Sequence, residues 1–305
     1  MKRPALVEYS SSDEEAPNPC STAAAEKLPS LSAHLLPHAP VDNPALHQGR
    51  RRTTPHVEGQ FAAYVYVPVV ITKNSKLFEL LSRMISAAQQ SVPTLHPIGL
   101  TEADIASPDG EGPSSVSDVD DVEFHISLTR PTYLRAHQRE EFKRAIRTAA
   151  RTRVKFPASL STVSELTNDE RTRTFLTLEV GAGHESFKEL SDSLTPALRS
   201  IRQKEFYEQP RFHISIAWAL LDGSRDSAPA PTSEPLPSPA EASTPPLVSS
   251  GDIFRTIPSF PPSLVPQLQT EFGRELVSPM VGTFEAEEVC VRIGKDVGKW
   301  KLSVV

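Results

Sequence analysis

Cysteine is almost missing from this chain. Its 305 residues include only Cys20 and Cys290, and Cys20 stands in a polar tail. A disulfide framework and a thiolate metal site are therefore not expected, and a reducing compartment fits. Long apolar runs are missing too: no stretch approaches the length that crosses a bilayer, and the first residues lack the apolar core of a signal peptide. A soluble, intracellular protein is expected, without a membrane partner. Apolar residues make up only 38% while prolines number 29, so part of the chain should not join a core. There is no excess of positive charge, the net being −6. That balance is local. Residues 101–123 hold eight acids and no base, residues 222–252 hold five acids and one Arg, and residues 1–52 are neutral, which leaves about +6 on the remainder. A modestly basic body with acidic loops suits a short single-stranded anionic ligand better than a duplex.

Histidine is scarce as well, at nine residues, which gives weight to where two of them stand. Phe124-His125-Ile126-Ser127 recurs as Phe212-His213-Ile214-Ser215, with the two histidines 88 residues apart. Read as strands, both copies send Phe and Ile to one face and His and Ser to the other. The apolar face packs on a core. The other presents an imidazole beside a hydroxyl, which packing alone gives no reason to do twice. Two copies about half a folded unit apart suggest duplicated lobes meeting across a cleft that holds two imidazoles and two hydroxyls around one phosphate.

Composition and periodicity organise the rest. Residues 1–54, rich in Pro, Ser and Ala, read as a disordered tail. Within it, Arg50-Arg51-Arg52 matches part of a nuclear import signal, although so short a run is usually solvated charge. A strand is expected over 61–70 and an amphipathic helix over 75–90. The acidic stretch 101–121 and the Pro-rich stretch 222–252, with seven prolines between Ala228 and Leu247, read as disordered insertions. Between them the pattern predicts a basic helix over 134–151, strands near 158–167 and 173–180, a helix over 184–200 and the His213 strand up to Leu220. A helix over 263–276 and strands near 285–293 and 298–304 are expected to complete the second lobe. The fold class is α+β: two pseudo-symmetric lobes of antiparallel sheet plus helices over 55–305, with the catalytic strands facing a central cleft.

Phe206-Tyr207-Glu208-Gln209-Pro210-Arg211-Phe212-His213-Ile214-Ser215-Ile216-Ala217-Trp218 resembles the second-lobe signature of the U6 small nuclear RNA phosphodiesterase family. The paired His-x-Ser strands place that family in the two-histidine phosphoesterase superfamily. Three further stretches agree: Leu6-Val7-Glu8-Tyr9-Ser10-Ser11-Ser12-Asp13, then Pro55-His56-Val57-Glu58-Gly59 leading to Tyr64-Val65-Tyr66-Val67-Pro68, and Thr172-Arg173-Thr174-Phe175-Leu176. The resemblance implies the two-histidine phosphoesterase fold and 3′-to-5′ trimming of the oligouridine end of U6 small nuclear RNA. It implies a nuclear location, a single-stranded RNA 3′ end as partner, and no cofactor or metal; a monomer is expected. Tyr207 matches the tyrosine that stacks on the terminal base, the alternative being ordinary packing, and Gln209 and Arg211 stand on the approach to the site.

The chemistry suits the residues. Cleaving a phosphodiester without a metal needs a base for the nucleophile and an acid for the departing oxygen, and imidazole serves as either near neutral pH. His125 and His213 are the expected catalytic pair. Ser127 and Ser215 are expected to bind the phosphate by donating to its non-bridging oxygens. With RNA the neighbouring 2′-hydroxyl attacks and leaves a 2′,3′-cyclic phosphate. His34, His38, His47, His56, His96, His137 and His184 lack carboxylate or cysteine partners at metal-ligand spacing. Two readings stay open beside the exonuclease: a related enzyme acting on 2′,3′-cyclic phosphates or 2′,5′ linkages, and a catalytically silent RNA-binding scaffold.

Overall fold

The computed structural model describes residues 43–51, 54, 57–106, 121–222 and 254–304. The tail up to residue 42, most of the acidic insertion and nearly all of the Pro-rich insertion lie outside these residues.

The long strand β1 (Gln60–Ile71) organises the first sheet. Its β-branched and small residues Ala63, Val65, Val67, Val69 and Ile71 all point to one buried face, and Tyr64 and Tyr66 to the other. Helix α1 (Lys76–Ser91) follows, started by Ser75, whose hydroxyl accepts from the Phe78 N–H at 3.2 Å. Such a cap is commonly worth ~1 kcal/mol. Leu77, Leu80, Leu81, Met84, Ile85 and Ala88 form its buried stripe. After the two-residue strand β2 (His96–Pro97) and the short helix α2 (Glu102–Ala106) come β3 (Val122–Ser127) and β4 (Thr132–Arg135). β3 pairs with the second half of β1 and β4 with the first half, both antiparallel.

Helix α3 (Arg139–Arg151) leads to the hairpin of β5 (Phe156–Thr167) and β6 (Arg173–Val180). Helices α4 (His184–Asp192) and α5 (Thr195–Ser200) precede β7 (His213–Leu220), and α6 (Leu264–Leu276), β8 (Thr283–Ala286), β9 (Glu288–Ile293) and β10 (Asp296–Lys301) end the chain. The second sheet runs β2-β7-β6-β5-β8. The first runs β10-β9-β1-β3, with β4 also on β1. β3, the end strand of the first sheet, lies against β7 of the second, and His125 and His213 line one cavity between them.

Four expectations are corrected. The C-terminal strands do not complete the second lobe: only β8 joins β5, whereas β9 returns to β1 and β10 pairs with β9. In exchange β2, from the first half of the chain, pairs with β7. The basic helix begins at Arg139 because Thr132–Arg135 is captured as a strand by Gln60–Ala63. The expected helix over 184–200 is two helices, with Pro196 in the first turn of the second, where its missing N–H costs nothing. Inside the stretch expected as an acidic insertion, Glu102–Ala106 is helical, held by buried Ile105 and by Asp104, which accepts from Lys73 at 3.3 Å and from the Thr101 N–H at 2.8 Å.

Candidate active site

His125 and Ser127 leave β3 on the face opposite Phe124, Ile126 and Leu128, which are all buried. His213 and Ser215 leave β7 opposite Phe212, Ile214 and Ile216, also buried. These two alternations turn the repeated tetrad into two donor–imidazole pairs aimed into one space. The cavity they line measures about 420 Å³, and its wall includes all seven expected residues, His125, Ser127, Tyr207, Gln209, Arg211, His213 and Ser215.

The histidines have different supports. His213 Nδ1 lies 2.6 Å from the Arg211 carbonyl oxygen. A carbonyl can only accept, so Nδ1 carries the proton in the neutral ring and Nε2 keeps its lone pair for the cavity. Glu179, the direct cross-strand partner of His213, is held by the Arg211 guanidinium at 3.0 Å. His125 instead packs among aromatic rings, with its centroid 5.9 Å from Tyr64 and 5.7 Å, edge-on, from Tyr66. Glu123 beside it accepts from Tyr66 and from Lys299.

Both imidazoles titrate below their ordinary value. Burial lowers His125, the nearby His213 lowers it further, and Glu123 opposes. Burial likewise lowers His213, against the raising effects of the Arg211 carbonyl and of Glu179. Near neutrality both rings are therefore largely neutral, and a phosphate anion between them favours protonating one.

Residues 26–241 match the HVSL family, described as an uncharacterised conserved protein. U6 snRNA phosphodiesterase 1 of Mus musculus is 32% identical over 204 residues, which cover 65% of this chain and 67% of the mouse protein. The chain belongs to the U6 snRNA phosphodiesterase family. The Homo sapiens member is 31% identical over 183 residues, 60% of either chain, so the matched region spans between three fifths and two thirds of these relatives. Kluyveromyces marxianus Usb1 superposes with a TM-score of 0.49 at 14% identity, covering 79% of this chain and 98% of that one. Escherichia coli LigT complexed with 3′-AMP gives 0.39 at 10%, covering 80% and 99%.

In this phosphodiesterase family member the cavity also includes groups that sequence reasoning did not single out. Arg130, three residues past Ser127, lies over the Tyr207 ring at 3.8 Å and bonds Asp169 at 3.0 Å, while the Tyr207 hydroxyl donates to the same carboxylate at 3.1 Å. One face of Tyr207 is thereby covered, and the side chain is still 42% exposed. Asn168 shapes the β5–β6 turn by accepting from the Thr172 and Arg173 N–H groups, both at 2.9 Å. No local signal marks Asp169 or Asn168, because they reach the cavity through the hairpin. Arg211 lines the cavity as expected, but its guanidinium is engaged by Glu179, which makes it a support of His213 as much as an approach residue.

Proposed function

We infer that this chain is a 3′-to-5′ RNA exonuclease of the U6-processing type, removing nucleotides from an oligouridine end. The observation that carries this reading is the convergence of both His-x-Ser strands on one cavity beside an exposed Tyr207. Its mouse relative bears the name U6 snRNA phosphodiesterase 1, and a solved Usb1 structure is one with uridine monophosphate.

The scissile phosphate sits between the imidazoles. One neutral histidine removes the proton of the 2′-hydroxyl next to that phosphate. The oxygen attacks phosphorus as the bond to the 5′-oxygen of the departing nucleotide breaks, and the other, protonated, histidine delivers a proton to that oxygen. A 2′,3′-cyclic phosphate remains on the shortened RNA. Ser127 and Ser215 donate to the non-bridging oxygens as their negative charge grows. Which histidine serves as base follows from the direction in which the RNA lies. The sugar hydroxyl and two imidazoles supply nucleophile, base and acid, so the step requires no metal. The open face of Tyr207 takes the terminal base, and Gln209 edges the same pocket. A U6 substrate places the protein in splicing and in the nucleus, as a monomer acting on a single-stranded end.

Incubation in excess chelator with an RNA ending in uridines and a free 3′-hydroxyl tests this. Shortening to a cyclic phosphate, or to its opened monophosphate, is expected for all-ribose RNA and not for a tail of 2′-deoxy sugars. Opening of a cyclic phosphate without shortening of either RNA would replace the exonuclease with the cyclic-phosphate enzyme.

A further inference from the structure

The face of the second sheet that carries His213 continues past the cavity wall. Phe175, part of the cavity wall, is paired across the strands with Trp218. Trp218 is paired in turn with His96, and the two rings stack at 4.5 Å and 26°. Strict alternation from His213 would send Trp218 into the core. A bulge opposite Leu176 and Thr177 inserts one extra residue and returns it to the face of His213.

Two guanidiniums cover this aromatic floor. Arg173 Cζ lies 5.6 Å from the Phe175 ring, and Arg50 Cζ lies 5.3 Å from the Trp218 ring. Arg50 is placed by its own segment. Residues Pro44–His47 form a capped 3₁₀ turn, Gly49 follows at φ +81°, and a Cβ there would fall 2.6 Å from the Leu220 and Phe254 side chains. The backbone thus runs flush against the end of β7, and the Arg50 Nε donates to the His47 carbonyl at 3.0 Å. Among the described residues neither arginine bonds a carboxylate, whereas Arg130 and Arg211 in the cavity both do. The two charges are near enough for Arg50 to help hold Arg173 below the usual arginine range, after burial and against Glu170. Like charges brought together over aromatic rings call for an anion between them.

We propose that Arg50 and Arg173, over Trp218 and Phe175, form a second phosphate site that binds a backbone phosphate of the RNA other than the one being cleaved. It rests on the RNA exonuclease reading and adds a subsite to it. Arg50 therefore belongs to the substrate path rather than to an import signal alone.

The test uses the full chain, with Arg50→Gln and Arg173→Gln made separately. Arg50 is exposed, so its variant folds whatever becomes of Arg173. Binding is measured first, on an oligouridine made uncleavable by 2′-deoxy sugars, across a series of salt concentrations. Each variant is expected to raise Kd roughly tenfold at low salt and to flatten the slope of log K against log salt by about 0.7. Unchanged affinity and slope in both variants, or no binding by the parent chain, overturns the site. Cleavage is measured second, on a uridine dinucleotide with a single phosphate, on the same dinucleotide extended on its 5′ side, and on one ending in a 3′-phosphate. The kcat/KM advantage of one extended form over the plain dinucleotide should fall roughly tenfold in both variants, and which form shows it locates the phosphate. Variants that slow all three alike overturn the site while leaving the exonuclease standing. A parent chain that binds with arginine-dependent slope yet cleaves nothing overturns the exonuclease and leaves the site standing.

Discussion

The same four residues recur at β3 and at the start of β7, but the two strands give their histidines different surroundings. His213 is pinned through Nδ1 by a carbonyl two residues upstream and backed by the Glu179–Arg211 pair. His125 is walled by Tyr64 and Tyr66, with Glu123 engaged by Tyr66 and Lys299. A duplicated motif thus fixes which groups face the cleft and leaves to each lobe how they are oriented and tuned. The tautomer of His213 is set by the segment leading into its strand; His125 is held by packing.

Breaking the pair gives the largest effects. His125→Ala and His213→Ala should each lower the rate by ~10²–10⁴, measured as single-turnover shortening of an oligouridine-ended RNA, and a histidine whose loss leaves the rate within a fewfold would remove the two-imidazole mechanism. Ser127→Ala and Ser215→Ala come next, each expected to cost ~10²–10³ in kcat with little change in KM. A loss confined to KM would mean that the hydroxyls bind the ground state only.

Tyr207→Ala should weaken the kcat/KM for RNA by an amount corresponding to ~1–3 kcal/mol, the usual worth of one stacked base. Tyr207→Phe keeps the ring and loses only the bond to Asp169, so it should stay close to the parent. Equal losses in the two variants would assign the effect to the Asp169 bond instead.

The smallest effect sharpens the contrast between the lobes. Both imidazoles are lowered from the ordinary 6.5, so the bell-shaped kcat/KM profile should peak below pH 6.5 and fall as pH rises and the acid loses its proton. Glu179→Gln removes a charge that raises His213, so the limb governed by His213 should move to lower pH. Glu123→Gln should move the His125 limb the same way.

Much of this was legible along the chain because it depends on local alternation. The period of two in Phe124–Leu128 and Phe212–Ile216 put the imidazoles and hydroxyls on one face, and the spacing of Leu77, Leu80, Leu81 and Met84 marked α1 before any neighbour was known. What was missed depends on partners distant in sequence. Arg130, Asn168 and Asp169 carry no motif and meet Tyr207 only because the β5–β6 hairpin folds over the cavity. Trp218 shares the sheet face of His213 because of a bulge, a register event that composition does not announce.

The sequence by itself determined the α+β class and which imidazoles and hydroxyls line the cavity, since both follow from which residues alternate with which. Tertiary structure alone decided that β9 and β10 close the first sheet while β2 crosses to the second. Strand pairing is a choice among edges, made by the hydrogen bonds and buried surface that each edge offers, and one strand's own residues do not name its partner.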